Sequence, residues 1–97
     1  MATIIEAWRH AGAEVLILSG AGHGAPDALV GWRGRAILCE IKNPNGRNRL
    51  SPEQANFLNG WPGETAVIRT VDEALALLRG RATGGDGLGS VEGGEET

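Results

Sequence analysis

Apolar residues along the first 79 positions recur with two different periods, and the changes of period mark out helices and strands. Ile4, Ala7, Trp8 and Ala11 fall at i, i+3, i+4 and i+7, the spacing of one helical face, and Gly12 follows as a stop. This predicts a short helix over 3–11, with Thr3 and Glu6 in a capping box. Residues 14–19 alternate poorly but are rich in Val, Leu and Ile, which predicts a first strand buried on both faces. The loop Gly20-Ala21-Gly22-His23-Gly24 follows, and its glycines would let a ligand approach the backbone, as they would in an ordinary turn. Two further apolar runs, 28–32 and 35–42, can pair as a hairpin across Gly34.

The second half of the chain has the punctuation of a helical crossover. Pro44 ends the strand run and Asn45-Gly46 makes a turn. Ser51 then serves as N-cap with Pro52 at the first helical position, Gln54 at N3 and Gly60 as the end, which predicts a helix over 51–59. A strand over 65–69 follows. Thr70 caps a last helix with Glu73 at N3, Val71, Ala74, Leu75 and Leu78 inward, and Gly80 as its stop. A right-handed crossover through helix 51–59 makes strands 35–42 and 65–69 parallel. The expected architecture is therefore an α/β domain, a four-stranded mixed sheet flanked by helices in the order α-β-β-β-α-β-α. Phe57, Leu58 and Trp61 are candidates for core or interface, and Cys39 for a small buried hydrophobe.

One feature breaks the apolar pattern. In the strand 35–42 the period of two puts Ala36, Leu38, Glu40 and Lys42 on one face and Arg35, Ile37, Cys39 and Ile41 on the other. A carboxylate and an ammonium inside such a strand lose hydration worth several kcal/mol each unless they are paired or bound to a metal. The turn that ends at Asp27 brings a second carboxylate to the same place once the hairpin forms. Two adjacent carboxylates are tolerated where they share a divalent cation, and all-oxygen ligation suits Mg2+, with Mn2+ as a possible substitute. A lysine beside that cation can orient a water or offset developing negative charge.

Composition changes this picture in two ways. Residues 80–97 hold seven glycines and set Arg81 against Asp86, Glu92, Glu95 and Glu96, so the net charge of −3 belongs to this stretch and residues 1–79 are neutral. We expect a domain over 1–79 and a Gly-rich, acidic, disordered tail over 80–97. Within the domain, Arg33, Arg35, Lys42, Arg47 and Arg49 face a single acid, Glu40, between positions 33 and 49. That basic cluster is either a solvated loop or the nucleic-acid-binding surface of a phosphodiester site, with Arg33, Arg35, Arg47 and Arg49 as its contacts. A domain of this size buries only about 60 to 65% of its unfolded surface, so a homodimer is expected. One cysteine permits no disulfide within the chain, two histidines with it make no zinc site, and the longest strongly apolar run, 15–18, is too short for a membrane span. A cytoplasmic location and no membrane partner are the corresponding expectations.

Gly24-Ala25-Pro26-Asp27 followed by Glu40-Ile41-Lys42 resembles the PD-(D/E)xK nuclease signature. Leu50-Ser51-Pro52-Glu53-Gln54 and the run Ala66 to Leu75 extend the likeness, over about residues 13–79, to the small VRR-NUC branch, related to archaeal Holliday-junction resolvases. The resemblance implies a restriction-endonuclease-like fold and a metal-dependent endonuclease. Asp27, Glu40 and the Ile41 carbonyl would hold the cation, and Lys42 would position the attacking water, leaving a 5'-phosphate and a 3'-hydroxyl. It also implies a glutamate in the first helix near the metal, for which Glu6 is the candidate. Gln54 keeps two readings, a capping partner of Ser51 or, by the resemblance, a contact to substrate or a metal-bound water. His23 is either a contact to the scissile phosphate or its water, or an exposed loop residue. The expected substrate is branched DNA, a four-way junction or a flap, with a partner protein as a further source of specificity. The alternative is a non-catalytic nucleic-acid-binding or assembly module that retains the fold.

Overall fold

The computed structural model describes residues 2–43 and 49–80. Arg47, the turn Asn45-Gly46, Pro44 and the segment 81–97 lie outside the described residues. Seven elements follow in the expected order: α1 (Ala2–Ala11), β1 (Glu14–Ile17), β2 (Ala28–Trp32), β3 (Arg35–Ile41), α2 (Pro52–Gly60), β4 (Glu64–Ile68) and α3 (Val71–Arg79). The sheet runs β1-β2-β3-β4, with the first three strands antiparallel and β4 parallel to β3. The hairpin turns at Arg33-Gly34, between the paired Trp32 and Arg35, and both turn residues have positive φ, 47° and 82°.

The register fixes which side chains share a face. Val15 pairs with Val30 and Ala28 with Cys39, while Cys39 lies beside Ala66 and Ile41 beside Ile68. These residues form one face and pack with Ile4, Ile5 and Trp8 of α1 and Ala74, Leu77 and Leu78 of α3 into a single core. The fully buried Trp8 ties the two helices, since its indole Nε1 donates to the Ala74 carbonyl at 3.0 Å. Cys39 is buried there, and desolvation pushes its thiol up to about 12, so it packs as an inert hydrophobe.

Local structure departs from expectation at several points. The first strand is not buried on both faces: it is four residues long, lies at the sheet edge, and buries only Val15, with Leu16 58% exposed. An edge strand packs α1 on one side alone, and its second face has no layer over it. The Thr3–Glu6 capping box does not form, because Thr3 is already inside α1, and Ile5 takes the buried place expected of Ala11. Leu77 is likewise buried in α3, with Leu75 and Val71 half-buried. No residue of α2 is buried: Phe57 and Leu58 are half-buried, and Trp61, just beyond the helix, stacks on Phe57 at 5.7 Å while 45% exposed. No described helix is long and apolar enough to cross a membrane.

The Trp8 bond makes a direct test of how α1 and α3 are held together. Trp8→Phe removes the donor, leaves the Ala74 carbonyl without it and shrinks the ring, so unfolding free energy should fall by about 2 to 3 kcal/mol. A denaturant midpoint indistinguishable from the parent would show that the bond contributes nothing.

Candidate active site at the end of the third strand

The acids meet because of strand register. Ala28 pairs with Cys39, so the next step of the antiparallel ladder sets Asp27 opposite Glu40 and Pro26 opposite Ile41. Residues opposite one another point to the same face, and this face is the one not covered by α1 and α3. Pro26 has no N–H to give the Ile41 carbonyl. The Ile41 amide is taken by Asp27 instead, whose Oδ2 accepts from it at 2.8 Å. Asp27 is thereby oriented by the strand that carries Glu40.

Glu40 is 4% exposed, the one buried charged residue among those described. Its Oε2 accepts from the Lys42 ammonium at 3.2 Å and from Nε2 of Gln54 at 3.0 Å. Gln54 in turn accepts on Oε1 from Lys42 Nζ at 3.0 Å and from the Ser51 amide at 2.9 Å, while the Gln54 amide donates to Ser51 Oγ. The two readings of Gln54 are thus geometrically compatible. One amide closes the capping box of α2 and bridges the acid of β3 and the base just beyond it. Burial raises the pKa of Glu40, the Asp27 charge raises it further, and the Lys42 ammonium and the Asp27 amide oppose both.

Gly24 locks the preceding loop to the same helix. Its φ is +76°, and a Cβ there would stand 2.5 Å from the Glu53 carbonyl oxygen and 2.8 Å from its carbon. The start of α2 therefore presses on the turn leading to Asp27 while Gln54 reaches Glu40 and Lys42. Both sides of the site depend on that helix end.

The remaining candidates separate. Glu6 is exposed on α1, in a groove with Val71 and Leu75, and His23 is exposed in its loop. Among the described residues no three Asp, Glu, His or Cys side chains come together as a metal site. Asp27, Glu40 and a main-chain oxygen nevertheless make an all-oxygen set of the kind that suits Mg2+, which keeps several waters. Burial and the neighbouring Asp27 charge both disfavour the Glu40 carboxylate, and a cation between the acids would offset them. Arg35 sits five residues before Glu40, about 17 Å away along an extended strand. It is committed to the fold: its guanidinium makes a two-pronged ion pair with Glu64 and donates to the carbonyls of Leu77 and Gly80. The expected single basic patch is therefore divided, with Arg33 and Arg35 at the far end of β3 and the exposed Arg49 on the loop that leaves the site end. Arg69 was not singled out from the sequence. The parallel register places it beside Lys42, and both line a cavity of about 470 Å3. The signal was the crossover itself, which brings the ends of the third and fourth strands together.

No family model matches the chain, and no curated protein does. A solved structure named "VRR_NUC domain" matches with a TM-score of 0.64 over 82% of this chain and 95% of that one, at 22% identity. At that identity the likeness establishes the fold: the chain is a small α/β domain with the architecture of a VRR_NUC domain.

The close approach at Gly24 is open to test. Gly24→Ala combines a strained positive φ with a contact that backbone cannot yield cheaply, and should cost about 1 to 3 kcal/mol. Amide exchange should quicken in the first turn of α2 in particular. Unaltered exchange there would mean that the loop and helix do not support one another.

Proposed function

We propose that the chain is a divalent-metal-dependent DNA endonuclease, and the observation that carries this reading is the buried Glu40 bridged to Lys42 and Gln54, opposite Asp27. Asp27, Glu40 and the Ile41 carbonyl would hold Mg2+, or Mn2+ in its place. When bound, the cation polarises a phosphoryl oxygen and lowers the pKa of water at the site. Lys42 orients the attacking water and offsets charge on the phosphorane, which requires it to turn from Glu40 toward substrate. Until that turn Gln54 holds the lysine beside the acid, and the Ile41 amide keeps Asp27 aimed at the site. Attack and in-line departure leave a 5'-phosphate and a 3'-hydroxyl.

Branched DNA, a four-way junction or a flap, is the proposed substrate, cut by a homodimer. The exposed Leu16 and Ile17 and the Phe57–Trp61 stack are the apolar surface that a second copy would cover. A second reading draws on the same triad. Glu40, Lys42 and Gln54 satisfy one another without any ligand, as a purely structural cluster in a non-catalytic DNA-binding or assembly module would.

Substitution separates the two. Asp27→Asn and Glu40→Gln keep an acceptor for Ile41 or for Lys42 and Gln54, so each should fold at least as stably as the parent while cleavage of DNA in Mg2+ is lost. Lys42→Ala should reduce the cleavage rate by orders of magnitude with little loss of DNA affinity in Ca2+. Binding without cutting by the parent chain, in Mg2+ and in Mn2+, selects the non-catalytic module. Light scattering across a concentration series should give twice the chain mass, and a monomeric mass at tens of micromolar excludes the dimer.

A further inference from the structure

The hairpin turn at the other end of β3 carries an arginine where its geometry favours a different residue. Arg33 has φ 47° and is followed by Gly34 at 82°, the two successive positive values of a tight two-residue hairpin turn. Asn, Asp or Gly ordinarily occupy the first of these positions, because a bulkier side chain is strained there. Arg33 is also held in place: its guanidinium lies 4.8 Å from the centre of the Trp32 ring. The strain lies in the backbone of an exposed residue whose guanidinium is fixed by stacking, so the charge is presented at a set place. The turn opens on a cavity of about 770 Å3 whose walls include Trp32, Leu75 and Leu78 and whose rim holds Arg33 and Arg79. Arg35 also lines it, but its charge is matched by Glu64.

We infer that Arg33 and Arg79 form a second DNA-backbone contact, remote from the acids, that holds another helical arm of the substrate. This rests on the nuclease reading above. Trp32 and Arg35 pair on the α1–α3 side of the sheet, whereas Asp27 and Glu40 lie on the opposite face and at the opposite end of β3. One straight duplex axis does not serve both surfaces, and two arms diverging from a branch point do. Guanidinium groups at a cavity rim match phosphate oxygens in charge and in fork geometry.

Arg33→Asn is an unusually clean probe, since asparagine suits the turn and the variant should melt at or above the parent temperature. Binding of a four-way junction and of a linear duplex would be measured in Ca2+ over a salt series for the parent, Arg33→Asn, and Arg33→Asn with Arg79→Ala. Each arginine should remove about one unit from the salt slope for the junction, so that raising salt roughly fourfold costs the parent about tenfold more affinity than the double variant. The linear duplex should show a smaller change, and Arg33→Lys should restore part of the junction slope. Equal slopes in parent and double variant, with the parent still cutting DNA in Mg2+, would overturn the second contact and leave the nuclease reading standing. A parent that neither binds nor cuts any of these DNAs would overturn both.

Discussion

A carboxylate buried inside a sheet has to be satisfied from several sides, and the arrangement around Glu40 follows from that requirement. Lys42 supplies charge from two residues along the same strand, and Gln54 supplies a hydrogen bond from a helix entered only after the whole connecting loop. Removing either donor would leave a desolvated charge, which costs several kcal/mol, so the position of α2 is bound to the ionisation of β3. Asp27 makes the burden heavier by adding a second negative charge across the ladder. The site stores electrostatic cost that a cation could discharge, and it does so without strained backbone at either acid.

That cost also explains an otherwise odd helix. Packing does little to hold α2, which buries no residue, and its N-terminal end is fixed by local chemistry. Ser51 and Gln54 close the capping box, Pro52 presets the first turn, and Gly24 lets the loop before Asp27 press on Glu53. A helix held mainly at its N-terminus can shift its far end, including the Phe57–Trp61 stack, with little loss of core contact. By contrast α1 and α3 are joined through Trp8 and the core, and provide the rigid side of the sheet.

Much of this was legible in the sequence because period and punctuation agreed. The order of elements, the hairpin, the parallel crossover and the cap at Ser51 all rest on local signals, and each is observed. The meeting of Asp27, Glu40 and Lys42 followed from the hairpin once its turn was placed. What could not be read was anything set by layer coverage. Leu16 and Leu29 look like core residues in a list of apolar positions, yet one is exposed and one half-buried because no element covers that part of the sheet. Charge clustering along the chain was also a poor guide to space. Arg35 and Lys42 are seven positions apart, but an extended strand carries them to opposite ends of the molecule and the period of two turns them to opposite faces.

The face opposite α1 and α3 gives the site its surroundings. Register sets Leu16, Leu29, Leu38 and Thr65 in one row across all four strands, and the next row on the same face holds Asp27, Glu40 and Val67. A row of three leucines and a threonine therefore runs alongside the acids, one pleat repeat away, about 7 Å. Glu40 itself is 4% exposed, so water screens its attraction to Lys42 little, while the strand ends beyond the acids stay open. On the proposed nuclease reading, substrate phosphates would approach Lys42 and Arg69 from this open end, beside the leucine row and not across it.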